Sequence, residues 1–292
     1  MVIASFIIIF REVLEAVLVI SIVLGYISKI NKPEFKKWVW YGTFAGVAAS
    51  FIGKFLFDFL IGGFEGQAEA LFEGFAMLIG AVLITTMIFW MAGQKKIAHE
   101  LEKRVDVYIS SSKKGGIFFL VFISIIREGI ELVIFLTAAE FASESLGWLG
   151  TILGFVVGIG LGVLLYFGTI KFNIKTFFNV TSIILILFAA GLIAHGIHEL
   201  QEGGLIPFVL YPLYDLNSIF PVPNPLNENS AIGSILKALF GYNGNPGLIE
   251  LIGYWVYLMG IISLWIIRSK VKPMNENFNV KTANNEKKME AS

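Results

Sequence analysis

Seven apolar stretches along the chain of 292 residues are each long enough to cross a lipid bilayer. A transmembrane helix needs about 20 residues to span roughly 30 Å of hydrocarbon. Hydrophobic residues make up 56% of the chain and charged residues only 15%, which is more apolar surface than a soluble domain of this size can bury. We therefore predict an all-α, polytopic membrane protein with seven transmembrane helices near 2–28, 37–62, 65–92, 115–142, 147–170, 176–200 and 247–268.

The distribution of basic residues sets the expected orientation. With seven spans, 18 of the 22 lysines and arginines fall in the connections and the tail on one side of the membrane. Basic residues concentrate on the cytoplasmic side, so we predict an external N-terminus and a cytoplasmic C-terminus in the plasma membrane. The net charge of zero implies no nucleic-acid partner, and the absence of cysteine excludes disulfides and thiol catalysis.

The connections between the spans differ in character. Residues 93–114 are predicted as a cytoplasmic loop, and residues 271–292 as a disordered cytoplasmic tail because they are polar and rich in Asn, Lys and Glu. Residues 201–246 form a long extracytoplasmic loop that holds six of the eight prolines. Its apolar run at 231–240 is too short to span the bilayer and is compatible with an interfacial or re-entrant helix.

A charged pentapeptide occurs twice inside the predicted helices. Residues 11–15 read Arg-Glu-Val-Leu-Glu, and residues 127–131 read Arg-Glu-Gly-Ile-Glu, 116 positions later. The two copies lie in the first and the fourth predicted span. Each span reverses the direction of the chain, so these two helices run in opposite directions. This relation predicts an inverted repeat, with three helices in residues 1–92, three in residues 115–200, and a seventh helix in residues 247–270.

Small residues recur every four positions in the second helix of each predicted half. They are Gly42, Gly46 and Ser50 in the first half, and Gly150, Gly154, Gly158 and Gly162 in the second. Such ridges let another helix approach closely, because no bulky side chain stands between the two backbones. We predict that these ridges are packing surfaces rather than ligand sites.

The charged residues of the two motifs lie near the predicted midplane of the membrane. Each such charge costs about 2.5–3.5 kcal/mol to insert before any pairing. Spacings of three and four residues place Glu12 and Glu15 on one helix face and let Arg11 pair with Glu15. The second motif repeats this arrangement with Arg127, Glu128 and Glu131.

If the two motif helices face each other, four carboxylates converge beside two guanidinium groups, with a net charge of −2. A multivalent cation neutralises that charge and accepts carboxylate oxygens as ligands. The candidate metal ligands are therefore Glu12, Glu15, Glu128 and Glu131, with Arg11 and Arg127 stabilising the empty site. The alternative is that the Arg–Glu pairs only orient the bundle. The duplication favours an ion pathway, which intramembrane ionisable residues often mark.

A second group of acidic residues lies toward the outer ends of the predicted helices. Glu65, Glu69 and Glu73 recur every four residues at the start of the third stretch, and histidines and glutamates end the sixth. Such an acidic mouth concentrates cations by electrostatic focusing. Its candidate metal ligands are Glu73, Glu69, His195 and Glu199.

The two motifs, in the first and fourth of seven helices, make the chain resemble the high-affinity iron permease family, the oxidase-dependent iron transporters of fungi and bacteria. The resemblance covers about residues 1–270, including the helix order and the acidic third helix. It implies that iron is the substrate, that the motif glutamates carry it inward, and that no cofactor is bound permanently. It also implies a separate extracytoplasmic oxidase or iron-delivery protein as partner. Carboxylate ligands and the lack of cysteine favour the ferric ion.

Three other functions remain open at this point. A proton-coupled exchanger or exporter of another divalent metal uses the same carboxylates for metal and protons in turn. An intramembrane enzyme uses the histidines and glutamate of residues 195–199 for metal-assisted hydrolysis, although a His-x-x-Glu-His zinc motif is missing from the sequence. A membrane scaffold uses the two motifs for stability alone. Of these classes, the sequence favours a transporter over an enzyme.

Overall fold

The computed structural model describes residues 2–93, 97–142, 147–167 and 174–267, and all regular secondary structure in these ranges is helical. The helices are α1 (Val2–Lys29), α2 (Lys36–Ile61), α3 (Gln67–Gly93), α4 (Ile97–Ser110), α5 (Lys114–Phe141), α6 (Trp148–Tyr166), α7 (Ile174–Glu202), α8 (Leu216–Ile219), α9 (Ala231–Phe240) and α10 (Leu248–Ile267). The predicted all-α class agrees with this architecture. The predicted disordered tail at 271–292 lies outside the described residues.

Five of these helices are long and apolar enough to cross a membrane, namely α2, α3, α6, α7 and α10. They support a polytopic membrane protein. Helices α1 and α5 are each 28 residues long, which is sufficient to span a bilayer, but each carries the three charges of a motif. These seven helices coincide with the seven predicted stretches, and the spanning of α1 and α5 stays a prediction.

Helix α6 lies along α1, and the contact passes through its glycine ridge. A Cβ atom added at Gly154 would lie 2.8 Å from the carbonyl oxygen of Phe6. One added at Gly158 would lie 3.0 Å from Cγ1 of Val13. Residue numbers rise together along the two helices, so α1 and α6 run parallel. The ridge is therefore a packing surface, as predicted.

Helix α2 lies along α5 in the same manner. A Cβ atom added at Gly46 would lie 2.8 Å from Cβ of Ile125. Ser50 of α2 is in close contact with Gly129, the central residue of the second motif. The second ridge is thus a packing surface too, and it brings α2 directly against the motif of α5.

Helices α3 and α7 form an antiparallel pair that α10 covers. A Cβ atom added at Gly74 would lie 2.9 Å from the Gly196 carbonyl oxygen, and one added at Gly196 would lie 3.0 Å from the Gly74 carbonyl oxygen. Both positions thus require glycine because the two backbones touch. Helix α10 joins this pair through the hydroxyl groups of Thr85 and Tyr257, which are 2.6 Å apart.

The segment predicted as a cytoplasmic loop at 93–114 contains helix α4. Val105 and Ile109 of α4 are buried in a cluster with Ile27 of α1 and Ile117 of α5. The hydroxyl group of Tyr26 also donates a hydrogen bond to Asp106 Oδ1 at 3.0 Å. Helix α4 therefore holds together the ends of α1 and α5 that lie farthest from the long connection.

The long connection at 201–246 is a folded structure with its own hydrogen bonds. The predicted short helix at 231–240 is confirmed as α9, which packs against α7 and α1. Ser230 caps α9 by accepting the Gly233 N–H at 2.9 Å, and Gly241 ends it in the left-handed conformation at a φ of 65°. The side-chain amide of Asn227 donates to the Phe220 carbonyl oxygen at 2.9 Å, which fixes the preceding turn.

Candidate metal centre

The two charged motifs meet where α1 and α5 cross. Carboxylate oxygens of Glu12, Glu15 and Glu128 all lie within 4.8 Å of one another, a spacing at which one metal ion can bind all three side chains. Beside them, Val13 of α1 and Leu132 of α5 pack in one apolar cluster. The predicted convergence is therefore observed for three of the four motif glutamates.

The first motif is enclosed by the protein. Arg11 is fully buried, and its Nε atom lies 3.1 Å from Glu15 Oε1 while its Nη1 atom lies 3.8 Å from Glu12 Oε1. The guanidinium carbon lies 6.0 Å from the centre of the Phe178 ring of α7, within range of a cation–π interaction. Arg11 thus supplies positive charge to two buried carboxylates from a fixed position.

The second motif is more open. The side chain of Arg127 is 43% exposed, although Glu128 beside it is buried. Arg127 donates from Nη2 to Glu128 Oε1 at 2.8 Å and from Nε to the same oxygen at 3.2 Å. The Arg127–Glu128 contact therefore turns one carboxylate oxygen of Glu128 toward the arginine.

Several carboxylate oxygens at this centre accept no hydrogen bond from the residues that the structure describes. They are both oxygens of Glu12, Oε1 of Glu15, Oε2 of Glu128 and Oε2 of Glu131. A buried polar atom without a partner costs about 1–3 kcal/mol, and more if it is charged. A cation bound between the carboxylates removes that penalty, and oxygen donors suit hard ions better than soft ones.

Glu131 lies at the edge of the centre rather than within it. Its Oε1 atom is 3.5 Å from Arg127 Nε, and its side chain is 19% exposed. It does not belong to the group of three carboxylates that converge within 4.8 Å. Of the four carboxylates predicted to converge, Glu131 is thus the one outside the group of three, and its role as a metal ligand stays a prediction.

The predicted acidic mouth lies where α3 begins and α7 ends. Glu73 is partly buried on α3, whereas Glu69 one turn earlier is exposed. The backbone contact of α3 with α7 brings Glu73 close enough to interact electrostatically with Glu199 and Glu202. Glu69, Glu73 and Glu199 therefore share one acidic surface, as the sequence predicted.

The two histidines of α7 have different surroundings. In the structure, Nδ1 of His195 faces the Gly191 carbonyl oxygen of its own helix at 3.1 Å. No hydrogen bond or ion pair joins His195 to Glu199 among the described contacts. His198 instead lies 3.2 Å from Glu202 Oε1 through Nε2 and 3.0 Å from Glu250 Oε1 through Nδ1.

Sequence reasoning missed Glu250, a buried carboxylate near the start of α10. Its oxygens accept the Gly247 N–H at 3.0 Å and the Asn243 side-chain amide at 3.0 Å, in addition to facing His198. The sequence did hold one signal for it. A glutamate three residues after Gly247 matches the half of a capping box in which the third helical residue binds the N-cap N–H.

The aromatic residues around His198 belong to the long connection. The ring centre of Tyr211 lies 5.5 Å from that of His198. Partial burial raises the pKa of the Tyr211 hydroxyl, and the nearby Glu250 and Glu202 carboxylates raise it further. Tyr211 therefore stays protonated over the physiological pH range and adds no negative charge of its own.

The chain matches known proteins over most of its length. The model of the Iron permease FTR1 family matches residues 2–272. The ferrous iron permease EfeU of Yersinia pestis is 32% identical over 267 residues, which cover 90% of this chain and 92% of that protein. EfeU of Escherichia coli O6:H1 is 31% identical over 268 residues, covering 90% and 94%.

An archaeal protein is similar to the same extent. An uncharacterized protein of Archaeoglobus fulgidus is 34% identical over 259 residues, which cover 86% of this chain and 91% of that protein. No solved structure gives a significant match to the chain.

Proposed function

Because the chain belongs to the iron permease FTR1 family, we propose that it imports iron across the plasma membrane through the carboxylates of its two motifs. The observation that carries this proposal is the convergence of Glu12, Glu15 and Glu128 at the crossing of α1 and α5. Three carboxylates from two helices form a cation site in a segment where each isolated charge is expensive. A cation that passes through the site offsets the cost of placing these charges there.

The arginines fit a site that must both bind and release its ion. Four glutamates and two arginines carry a net charge of −2 when all are ionised, which a divalent iron ion neutralises. Arg11 and Arg127 keep their charge at any physiological pH, so part of the carboxylate repulsion remains compensated after the ion leaves. We propose that these arginines hold the empty centre in shape.

The contacts of the glycine ridges support the proposed inverted repeat. Gly154 of α6 faces the carbonyl oxygen of Phe6 in α1, and Gly46 of α2 faces the carbonyl oxygen of Phe122 in α5. Phe122 follows Phe6 by 116 positions, the same interval that separates the two motifs. The α1–α6 pair and the α5–α2 pair are therefore packed alike, which is the relation that two halves of opposite orientation require.

The proposed route begins at the acidic surface. Glu69, Glu73 and Glu199 attract cations to the end of the bundle where α3 begins. We propose that this end lies outside the cell, which the distribution of basic residues supports. The ion then reaches the motif carboxylates near the midplane and leaves on the cytoplasmic side. His195 was expected to join this route, but no ion pair joins it to a carboxylate among the described contacts, and Lys237 is close enough to act on it electrostatically. We therefore assign the mouth to the three glutamates.

The motif carboxylates can bind iron in either oxidation state. The EfeU relatives are called ferrous iron permeases, whereas the carboxylate ligands and the lack of cysteine had favoured the ferric ion. Carboxylate oxygens bind both ions, so the name of the relatives decides our choice of Fe(II). A separate extracytoplasmic oxidase or iron-delivery protein remains a proposed partner.

The test is uptake of radioactive iron into proteoliposomes with the N-terminal side outward. Fe(II) under anaerobic conditions, Fe(III) as a weak chelate and Mn(II) are compared for the wild type, Glu12→Gln and Glu128→Gln. Exposed Glu100 of α4 provides the matched control, Glu100→Gln. We expect saturable Fe(II) uptake in the wild type and control, and its loss in both motif variants. Equal uptake in all four proteins would exclude the motif carboxylates as the pathway.

A further inference from the structure

His198 lies beside the acidic mouth. The surroundings of its imidazole ring resemble those of a metal-binding histidine. Its side chain lies on α7 between two carboxylates, those of Glu250 at Nδ1 and Glu202 at Nε2. Glu250 is buried within the protein, whereas Glu202 is 55% exposed. One ring nitrogen is thus directed into the protein and the other toward the surface.

The buried side of this arrangement fixes the tautomer of the ring. The two oxygens of Glu250 already accept N–H groups from Gly247 and Asn243, so the carboxylate acts as an acceptor. His198 must then donate its Nδ1–H to Glu250 Oε1, 3.0 Å away. A neutral ring in this tautomer has its lone pair on Nε2. Metal-binding histidines are commonly oriented by a carboxylate in this way.

The exposed side of the arrangement needs a proton or a metal ion between its two atoms. The Nε2 lone pair faces Glu202 Oε1 at 3.2 Å, and two acceptors at that distance repel each other unless a proton or a metal ion lies between them. Two neighbouring ligand atoms around an ion with bonds of about 2.1 Å are separated by a similar distance when the bond angle is about 100°. The Nε2–Oε1 pair therefore has the spacing of two adjacent metal ligands.

The surrounding charge favours a metal ion in this position. Glu199, next to His198 in the sequence, and Glu73 of α3 both interact electrostatically with Glu202. The pair also lies far from the central carboxylates. Phe178, which contacts the first motif, precedes His198 by twenty residues on α7, or about 30 Å along the helix axis. An ion at His198 is therefore separate from an ion at the motifs.

We propose that His198 and Glu202 form an outer loading site for a divalent transition-metal ion, with Glu250 as the residue that positions His198. The inference rests on the proposed function, since it gives imported iron a first binding site before the midplane. Binding at this site, however, is measurable without any transport.

The chain suits a direct test because it contains only three histidines. The full-length protein, labelled with 15N-histidine in lipid nanodiscs, is titrated with Zn(II), a diamagnetic substitute for Fe(II), and the ring nitrogens are followed by NMR. The titration is repeated with Glu12→Gln/Glu128→Gln to remove central binding. We expect the His198 Nε2 resonance to shift on binding, and anaerobic Fe(II) to compete with Zn(II). His195, three residues earlier on the same helix, is the internal control.

Three variants test the assigned roles. His198→Gln identifies the resonance and should abolish the site. Glu202→Gln changes only an exposed side chain, and should weaken Zn(II) binding at least 10-fold. Glu250→Gln should weaken it by about 10–100-fold, the usual effect of removing a partner that orients a ligand. Its amide can also donate to Nδ1, so the ring should move its proton to Nε2, a change that 15N shifts report directly and a purely structural role does not predict.

Several outcomes would overturn the inference. One is a His198 ring that stays doubly protonated and unshifted at saturating Zn(II), which would make the His198–Glu202 contact an ordinary ion pair. Another is equal Zn(II) affinity in the wild type and Glu202→Gln. Binding at His198 without iron flux in proteoliposomes would count against the proposed function alone, and flux without binding at His198 against this inference alone.

Discussion

The two copies of the motif have the same charged residues and different surroundings. Arg11 is fully buried beneath Phe178 of α7, whereas the side chain of Arg127 is 43% exposed. The difference comes from the third helix of each predicted half. Helix α7 reaches the first motif with an aromatic ring, while α3 packs against α5 nearer the other end, with Gly80 beside Ala138.

This comparison shows that a sequence repeat need not give equal environments. Within the proposed transport function, the exposed side of Arg127 is the side from which water reaches the carboxylates in this conformation, because a charge in contact with hydrocarbon is expensive. Glu131 lies on the same open side, and Glu12 on the closed side. The first motif thus supplies the fixed part of the centre, and the second motif supplies its accessible part.

The largest expected difference concerns the two arginines. Arg11→Met should lower the free energy of unfolding by about 3–5 kcal/mol, because it leaves buried carboxylates without their counter-charge. Arg127→Met should lower it less, by about 1–2 kcal/mol, since the arginine is partly exposed although its partner Glu128 is buried. Unfolding of the purified protein in detergent measures both. Equal losses would show that the two motifs are equally enclosed in solution.

The glutamates should differ next in metal affinity. Glu12→Gln removes one of three converging carboxylates and should weaken Fe(II) binding on the order of 100-fold, or about 2.7 kcal/mol. Glu131→Gln should weaken it only a few-fold, since Glu131 lies at the edge of the centre. Anaerobic equilibrium dialysis compares them. A larger effect at Glu131 would reverse the assignment of the fixed and accessible parts.

Substitutions in the two glycine ridges should destabilise the protein to a similar degree, because the two halves are packed alike. Gly158→Ala places a methyl group against Val13 and should destabilise the protein by about 1–3 kcal/mol. Gly46→Ala should have a similar effect against Ile125. Gly160→Ala is the control on the same helix, because an added Cβ there meets nothing within 4 Å. Thermal unfolding of the three variants would contradict the packing if Gly160→Ala proved the most damaging.

The smallest expected effect concerns the ring over Arg11. Phe178→Leu removes a cation–π contact and should cost about 0.5–2 kcal/mol. Phe119→Leu, at an exposed position of α5, is the matched control and should be nearly neutral. The two unfolding curves are compared in the same detergent. If both variants unfold alike, Phe178 contributes only apolar contact to the enclosure of the first motif.

The sequence predicted the positions of the long helices well because each signal is local. An apolar run of 20 or more residues is recognisable without knowledge of its neighbours, and the predicted stretch 2–28 differs from Val2–Lys29 by one residue. Helix α4 was missed because it carries no such local signal. Half of its 14 residues are polar or charged, and the burial of Val105 and Ile109 depends on the ends of α1 and α5.

The sequence predicted which residues form the central site, but it predicted their relative positions only in part. Charged residues at helical spacing inside apolar stretches identified the glutamates, and the opposite directions of the helices predicted their meeting. The position of Glu131 at the edge depends on the rotation of α5 about its axis, which a motif does not specify. His198 and Glu250 are 52 residues apart, and only the folded connection between α7 and α10 brings them together.

The exchange of helices between the two halves has a consequence for biogenesis. Helix α1 is packed by α6, and α2 by α5, so neither half contains the partners of its own first two helices. As the chain emerges from the ribosome, 80 residues separate the end of α2 from the end of its partner α5, and 137 residues separate the end of α1 from the end of its partner α6. During that interval the charged face of α1 lacks the glutamate of α5, and an insertion chaperone would have most to protect at this stage.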